Sequence, residues 1–302
     1  MSTLLTIGFF DGVHRGHAAL LAYAEKKARE KGLSPAVLTF DGLFALKKAA
    51  ELNLPGDREL LIRRVSPSAE VFTLTLDPAL RALTAERFFR EYLLLKYGAR
   101  HFVIGENFTF GADRRDAAFL AALAANEGLS ADVLPLSGDK EGAISSSRIR
   151  SLLTGGRIPE ANALLGHPQF FRGEVVNGRH VGRTLGFPTV NLPYPDRLVA
   201  LPLGVYAARV RLSGGECFHA VLNLGRHPTF GESDGVILEA HLLGFEGDLY
   251  GRTVEIGFEK LLRRERRFSS PEELREAVEH DKATAEIYLS KQDEERMNRR
   301  DL

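Results

Sequence analysis

Among 302 residues the chain has one cysteine, Cys217. A single thiol forms no intrachain disulfide and no cysteine-based metal centre, which fits a reducing compartment. Neither sign of charge is in surplus: 40 basic residues balance 40 acidic ones, so no broad nucleic-acid surface driven by net charge is expected. No apolar run approaches the length of a membrane span, and the N-terminus lacks a signal-peptide pattern. The expectation is a cytoplasmic protein with neither a membrane nor a nucleic-acid partner. Internal repeats and low-complexity linkers are also missing, and no Gly-Lys-Ser/Thr occurs at the spacing of a Walker A loop. What remains is ordinary globular composition, 44% hydrophobic and 26% charged, in a chain long enough for two domains.

The two halves carry different hydrophobic periods. In the first, apolar runs at Leu4–Ile7, Ala36–Phe40, Glu70–Leu74, His101–Ile104 and Asp132–Leu136 read as strands. They alternate with helical patterns at His17–Lys31, Ala85–Tyr97 and Arg115–Glu127. Such alternation predicts an α/β domain, a parallel sheet covered by helices, with ligands beyond the carboxyl ends of the strands. After about residue 168 the period becomes two. Strands are expected at Gly173–Val176, Tyr206–Leu212, Glu216–Leu222, Val236–Leu243 and Thr253–Leu261. A last helix starts with Ser270 as cap, Pro271 at its first position and Glu273 closing a capping box. Several antiparallel strands and one helix suggest a small closed β-barrel, since closure removes edge strands. The boundary is expected in the helical stretch Ser147–Leu165, giving domains 1–158 and 159–302.

Gly8-Phe9-Phe10-Asp11-Gly12-Val13-His14-Arg15-Gly16-His17 joins the first strand to the first helix. A helix N-terminus offers free N–H groups and positive dipole to an anion, so two imidazoles here suit a nucleotide phosphate. Taken alone the pair is equally explained as a cap or core packing. Ser146, Ser147 and Arg150 bring hydroxyls and a guanidinium to another helix start, where the serines also suit N-capping.

The second half carries a different phosphate device, Gly178-Arg-His-Val-Gly182-Arg183-Thr-Leu-Gly186-Phe-Pro188-Thr189-Val190-Asn191. Spaced glycines let backbone N–H groups approach phosphates. Thr189 and Asn191, two apart on an extended segment, give hard oxygen ligands to one face, which suits Mg²⁺ bridging to ATP. Further on, alternation puts Glu239 beside His241 on a face flanked by Ile237 and Leu243. A carboxylate there needs an explanation, and an ion pair with an arginine is the plain one. The run Arg263-Arg264-Glu265-Arg266-Arg267 reads as a solvated strand end that can serve a local phosphate.

From Leu4 to about Leu289 the chain resembles the prokaryotic bifunctional riboflavin kinase/FMN adenylyltransferases. GxFDGVHxGHxxLL at Gly8–Leu21, the Gly105–Gly111 segment and Ile144–Arg150 are similar to the adenylyltransferase half. GxPTxN ending at Asn191, the Asn223–Gly231 run, Glu239-Ala-His241-Leu-Leu243 and Leu262–Phe268 are similar to the kinase half. The resemblance implies a Rossmann-like nucleotidylyltransferase domain and a kinase barrel, with riboflavin, FMN and ATP as substrates and Mg²⁺ as cofactor. It implies His14 and His17 as catalytic, with Gly8, Asp11, Gly16, Asn107, Ser146, Ser147 and Arg150 binding ATP and Phe108 and Phe110 contacting flavin. For the kinase it implies Glu239 as base, Gly182, Arg183, Gly186 and Thr189 on ATP, Thr189 and Asn191 on Mg²⁺, and Asn223 and Arg263 near flavin. One segment departs: the family shows TFxPHP where this chain has Thr39-Phe40-Asp41-Gly42-Leu43-Phe44. That leaves open a kinase whose first half is a weakened or non-catalytic nucleotide- or flavin-binding module. A flavin carrier without activity is a third reading. The oligomeric state is not legible.

Overall fold

The computed structural model describes residues 2–42, 50–176, 189–226 and 235–298. The chain divides into two compact units, Met1–Arg148 and Ile149–Leu302.

In the first unit, β1 (Thr3–Ile7), β2 (Ser34–Asp41), β3 (Glu70–Thr75), β4 (Ala99–Gly105) and β7 (Ser130–Leu134) form a parallel sheet in the order β3-β2-β1-β4-β7. Every residue of β1 is buried, as a central parallel strand covered on both faces requires. The order runs outward from β1 in both directions, so the crevice beyond β1 and β4 is the topological switch point. Both glycine-bearing segments leave the sheet there, after Ile7 and at Gly105. Two short strands, β5 (Thr109–Phe110) and β6 (Arg115–Asp116), pair as a hairpin, and so do β8 (Gly138–Asp139) and β9 (Gly142–Ala143).

Helix α1 (Arg15–Lys31) begins two residues before the expected His17, because His14 is its N-cap. It ends at Gly32, whose positive φ lets the chain turn away. Its buried face, Leu21, Ala24 and Ala28, follows helical spacing. The helix expected over Ala85–Tyr97 is two pieces: α4 (Ala85–Phe88) passes into a π-helix at Phe89–Lys96, where Tyr97 N–H reaches back five residues to Tyr92 O. Phe88, Phe89, Leu93 and Tyr97 all remain in the core. Two helices were not expected. The short α3 (Pro78–Arg81) is capped by Asp77. Helix α2 (Pro55–Val65) has Pro55 at its start and buries Asp57 and Arg58 beside Leu61 and Ile62. Charges on the buried face break the apolar period by which a helix is read. Helix α5 (Ala117–Asn126) starts behind an Asp116 cap.

Helix α6 (Ser146–Thr154) runs across the division between the units. In the second unit, α7 (Ile158–Leu165) precedes β10 (Gln169–Glu174), β11 (Val190–Pro193), β12 (Gly204–Leu212), β13 (Cys217–Arg226), β14 (Val236–Leu242) and β15 (Thr253–Arg264). The sheet is antiparallel, ordered β10-β15-β12-β13-β14-β11. Among the described residues its ends are not joined by a continuous ladder. A single bridge, Val176 to Asn191, draws them together. The result is a six-stranded antiparallel half-barrel followed by a terminal helix, in keeping with the small antiparallel barrel expected. Leu222, Leu224, Leu238 and Ala240 are fully buried or nearly so on one face, while Asn223, Glu239 and His241 are half-buried on the other.

The last helix, α8 (Pro271–Asn298), packs Ala285 and Leu289 against Val205, Ala207 and Val221. Ser270 Oγ caps it by accepting from Glu273 N–H at 3.2 Å. The reciprocal bond of the capping box falls one residue early: Glu273 accepts from Ser269 N–H at 2.8 Å, not from Ser270. Among the described residues no helix is long and apolar enough to cross a membrane.

Candidate functional site

The turn after β1 is strained. Phe10 and Val13 have φ of +49° and +37°, and Gly12 between them +84°. A β-branched residue in this region is an outlier that persists only where the surroundings fix it, as they do at functional sites. Here Phe10 is buried, Val13 N–H donates to Phe10 O at 3.0 Å, and Thr39 Oγ1 donates to Phe9 O at 3.1 Å. Ser146 Oγ donates to Asp11 O at 2.8 Å, so the serine ties the start of α6 to the turn.

The two imidazoles that follow are stacked, with centroids 3.7 Å apart. His14 Nδ1 accepts from His17 N–H at 3.3 Å and caps α1. Gly16 lets the helix start come this close: a Cβ there would stand 3.2 Å from the His14 ring. A Cβ on Gly8 would meet the Phe10 ring at 3.2 Å. His17 Nδ1 is buried without a hydrogen-bond partner. Burial first, and the neighbouring His14 second, hold the His17 pKa well below its ordinary value, so the ring is neutral at neutral pH. A sheltered ring nitrogen with no partner, at a helix start beside the switch point, fits a ligand acceptor such as phosphate.

Other expected groups differ in disposition. Asp11 is buried, its carboxylate turned inward onto Leu52 N–H at 2.8 Å. Ser147 and Asn107 are exposed and Arg150 half-buried, with Arg150 four residues after Ser146 on the same helix face. Phe108 is half-buried and stacks on Phe110 at 5.4 Å, whereas Phe110 lies in the core against Phe88 and Phe119. The divergent loop is described only to Gly42, and its Leu43 and Phe44 lie outside the described residues. Phe40, at its start, packs its ring on Phe9 at 5.3 Å.

In the second unit the register assembles what is far apart in sequence. Asn191 of β11 lies directly opposite Glu239 of β14, Glu239 opposite Asn223 of β13, Asn223 opposite Val205 of β12, and Val205 opposite Arg263 of β15. Directly opposed residues share a face, so Asn191, Glu239, Asn223 and Arg263 form one row across the sheet. Asn191 is buried, and its Oδ1 has no hydrogen-bond partner. A buried hard oxygen without a donor, beside a carboxylate, fits a divalent-cation ligand such as Mg²⁺. Thr189 is half-buried just before β11. Arg263 is engaged by α8 through Asp281, with Nη2 to Oδ2 at 2.8 Å, and its guanidinium lies over the Phe268 ring. Gly182, Arg183 and Gly186 lie outside the described residues.

Sequence reading missed the buried polar group Glu51, Asn53, Asp57 and Arg58 near the first site. No signal announces it, because charged residues in a helical stretch read as a solvated face.

The FAD synthetase family profile matches residues 1–148, and the riboflavin kinase profile matches residues 165–289. The first match spans the divergent Thr39–Phe44 loop. A bifunctional riboflavin kinase/FMN adenylyltransferase of Escherichia coli (strain K12) is 37% identical over 295 residues, covering 95% of this chain and 92% of that protein. The protein of that name from Bacillus subtilis (strain 168) is 31% identical, covering 95% and 93%. A crystal structure titled as a macrolide-efflux protein from Streptococcus pneumoniae superposes with a TM-score of 0.83 at 30% identity, covering 94% of each chain. Identity at this level over nearly the whole of both chains settles membership. The chain belongs to the bifunctional riboflavin kinase/FMN adenylyltransferase family.

Proposed function

We propose that the chain converts riboflavin and ATP to FMN in its second unit, and FMN and ATP to FAD and pyrophosphate in its first. The two reactions ask different things of the protein. Riboflavin offers a neutral ribityl hydroxyl, so a base is useful. Glu239 takes the hydroxyl proton as the oxygen bonds to the γ-phosphorus and ADP leaves. Asn191 and Thr189 would hold Mg²⁺, which neutralises phosphate charge when bound, while Asn223 and Arg263 border the flavin. Gly182, Arg183 and Gly186 belong to the loop we assign to ATP.

FMN instead attacks with an already ionised phosphate oxygen, and no strong base is needed. The task is to stabilise charge on the α-phosphate and the departing pyrophosphate. His14, His17, Ser146, Ser147 and Arg150 are assigned that role, with Gly8 and Gly16 giving the backbone room, Asn107 at the nucleotide, Phe108 toward the flavin and the buried Phe110 behind it. The division between activities is proposed at residue 158, inside the stretch 149–164 left between the two family matches.

The observation that carries the kinase half is the row in which Glu239 stands between Asn191 and Asn223. An inert first half is the weaker reading, since the FAD synthetase match runs through the divergent loop. Supplying FMN, ATP and Mg²⁺ to the purified chain tests it: FAD and pyrophosphate are expected, and their absence rejects an active first unit.

A further inference from the structure

We propose that Asp11 is a positioning residue for adenylyl transfer, acting through its bond to Leu52 N–H, and that the buried Glu51–Arg58 pair is the brace that presents this N–H. The proposal rests on the adenylyltransferase reading above. Asp11 is 2% exposed, and its Oδ1 accepts from Leu52 N–H at 2.8 Å. Its own carbonyl accepts from Ser146. One residue in a strained turn is thus pinned through its side chain to the segment before α2 and through its backbone to the start of α6. Left and right of it stand Phe10, Gly12 and Val13, all with positive φ. Such a turn relaxes unless several contacts hold it.

The segment that supplies Leu52 N–H is itself held from within. Glu51, Leu52 and Asn53 are fully buried. Arg58, 1% exposed, reaches back from α2 with Nη2 3.4 Å from Glu51 Oε2 and Nη1 2.5 Å from Phe40 O. Phe40 ends the buried part of β2, and its ring touches Phe9 of the same turn. The circuit is closed: β2 to Arg58, to Glu51 and Leu52, to Asp11, to the turn, and back to β2 through Phe9. An ion pair this buried adds little net stability over apolar residues of similar volume. Its value lies in fixing geometry. His14 follows Asp11 by three residues and caps α1, so a shift of the turn moves both imidazoles.

The test compares Asp11→Ala with Asp11→Asn in the full chain. It measures FAD formation from FMN, phosphorylation of riboflavin, and hydrogen exchange at the Leu52 amide. Alanine removes the acceptor, and we expect kcat for FAD formation to fall by about 100-fold, the cost of roughly an ångström of misplacement. KM for ATP should change little, and Leu52 should lose exchange protection. Asparagine keeps an acceptor oxygen without the charge and should restore most of both. Arg58→Met should reproduce the alanine effect and Arg58→Lys soften it. Exchange protection kept at the buried amides of β1 and β4 shows that the first unit of each variant is folded, and unchanged riboflavin phosphorylation shows the same for the second. Asparagine as inactive as alanine would mean that the carboxylate charge acts on the nucleotide directly and would overturn the proposal. So would Leu52 protection that survives Asp11→Ala. A wild-type chain that makes no FAD defeats the functional reading instead, and the Leu52 exchange then decides the brace by itself.

Discussion

His17 and Glu239 are the two residues whose surroundings bear most directly on chemistry. Burial keeps His17 neutral at neutral pH, with its folded pKa below the ordinary 6.5. In the unfolded chain the ring takes up a proton as pH falls through about 6.5, while in the folded chain it does not until lower pH. The unfolded state then binds more protons, so this group lowers stability as pH drops from about 6.5 to the folded pKa. His17→Gln should flatten that part of a pH series of urea titrations. A polyphosphate beside the ring favours its charged form, so ATP binding should draw in a proton below about pH 6.5, where the ring of the free folded chain is still neutral. Calorimetric binding enthalpies should therefore depend on the buffer's ionisation enthalpy in the wild type and lose that dependence in His17→Gln; buffer-independent wild-type enthalpies contradict it. If Glu239 is the base proposed for the kinase, Glu239→Gln should lower FMN formation by roughly 10²- to 10⁴-fold and leave FAD formation from supplied FMN untouched. Equal loss of both products would show that the two sites are not separate. The residues assigned to both sites were named from spaced motifs in the sequence. The inward turn of the Asp11 carboxylate was not, since its partner is a backbone N–H 41 residues away.

Elements were legible where one face is apolar at a single period and illegible where packing overrides it. All five parallel strands stand within a few residues of their expected positions: β1, β2 and β4 are buried apolar runs, and the more exposed edge strands β3 and β7 are marked by the helical patterns around them. The π-helix at Phe89–Lys96 was hidden, since four large side chains directed to one core read equally well as an α-helix. Helix α2 was hidden by its buried charges. The hairpin of β5 and β6 shows why a glycine sits where it does. Gly111 has φ of +76°, and a Cβ there would come within 2.3 Å of Ala85 N. Gly111→Ala should cost roughly 2–4 kcal/mol from backbone strain and overpacking, read as a lower urea midpoint of the first unit; a midpoint equal to wild type contradicts it. At the other end of the chain the α8 cap is ordinary. Ser270→Ala should cost about 1 kcal/mol, again by urea titration, and no change would show that Ser269 and Glu273 hold the helix start without it.

At the scale of the whole molecule, two units with different sheets carry two reactions that share ATP, and the product of one, FMN, is the substrate of the other. The change of hydrophobic period near residue 168 already divided the chain. The register row of the second sheet, which needs five strands to be paired, lay beyond any sequence pattern. The order of products follows from the chemistry: FMN must exist before it can be adenylylated. The most direct measurement gives the purified full-length chain riboflavin, ATP and Mg²⁺ and separates the flavins by chromatography over time. The account predicts FMN first, then FAD with an equal amount of pyrophosphate. Riboflavin left unphosphorylated, or FMN accumulating with no FAD while ATP remains, would contradict it.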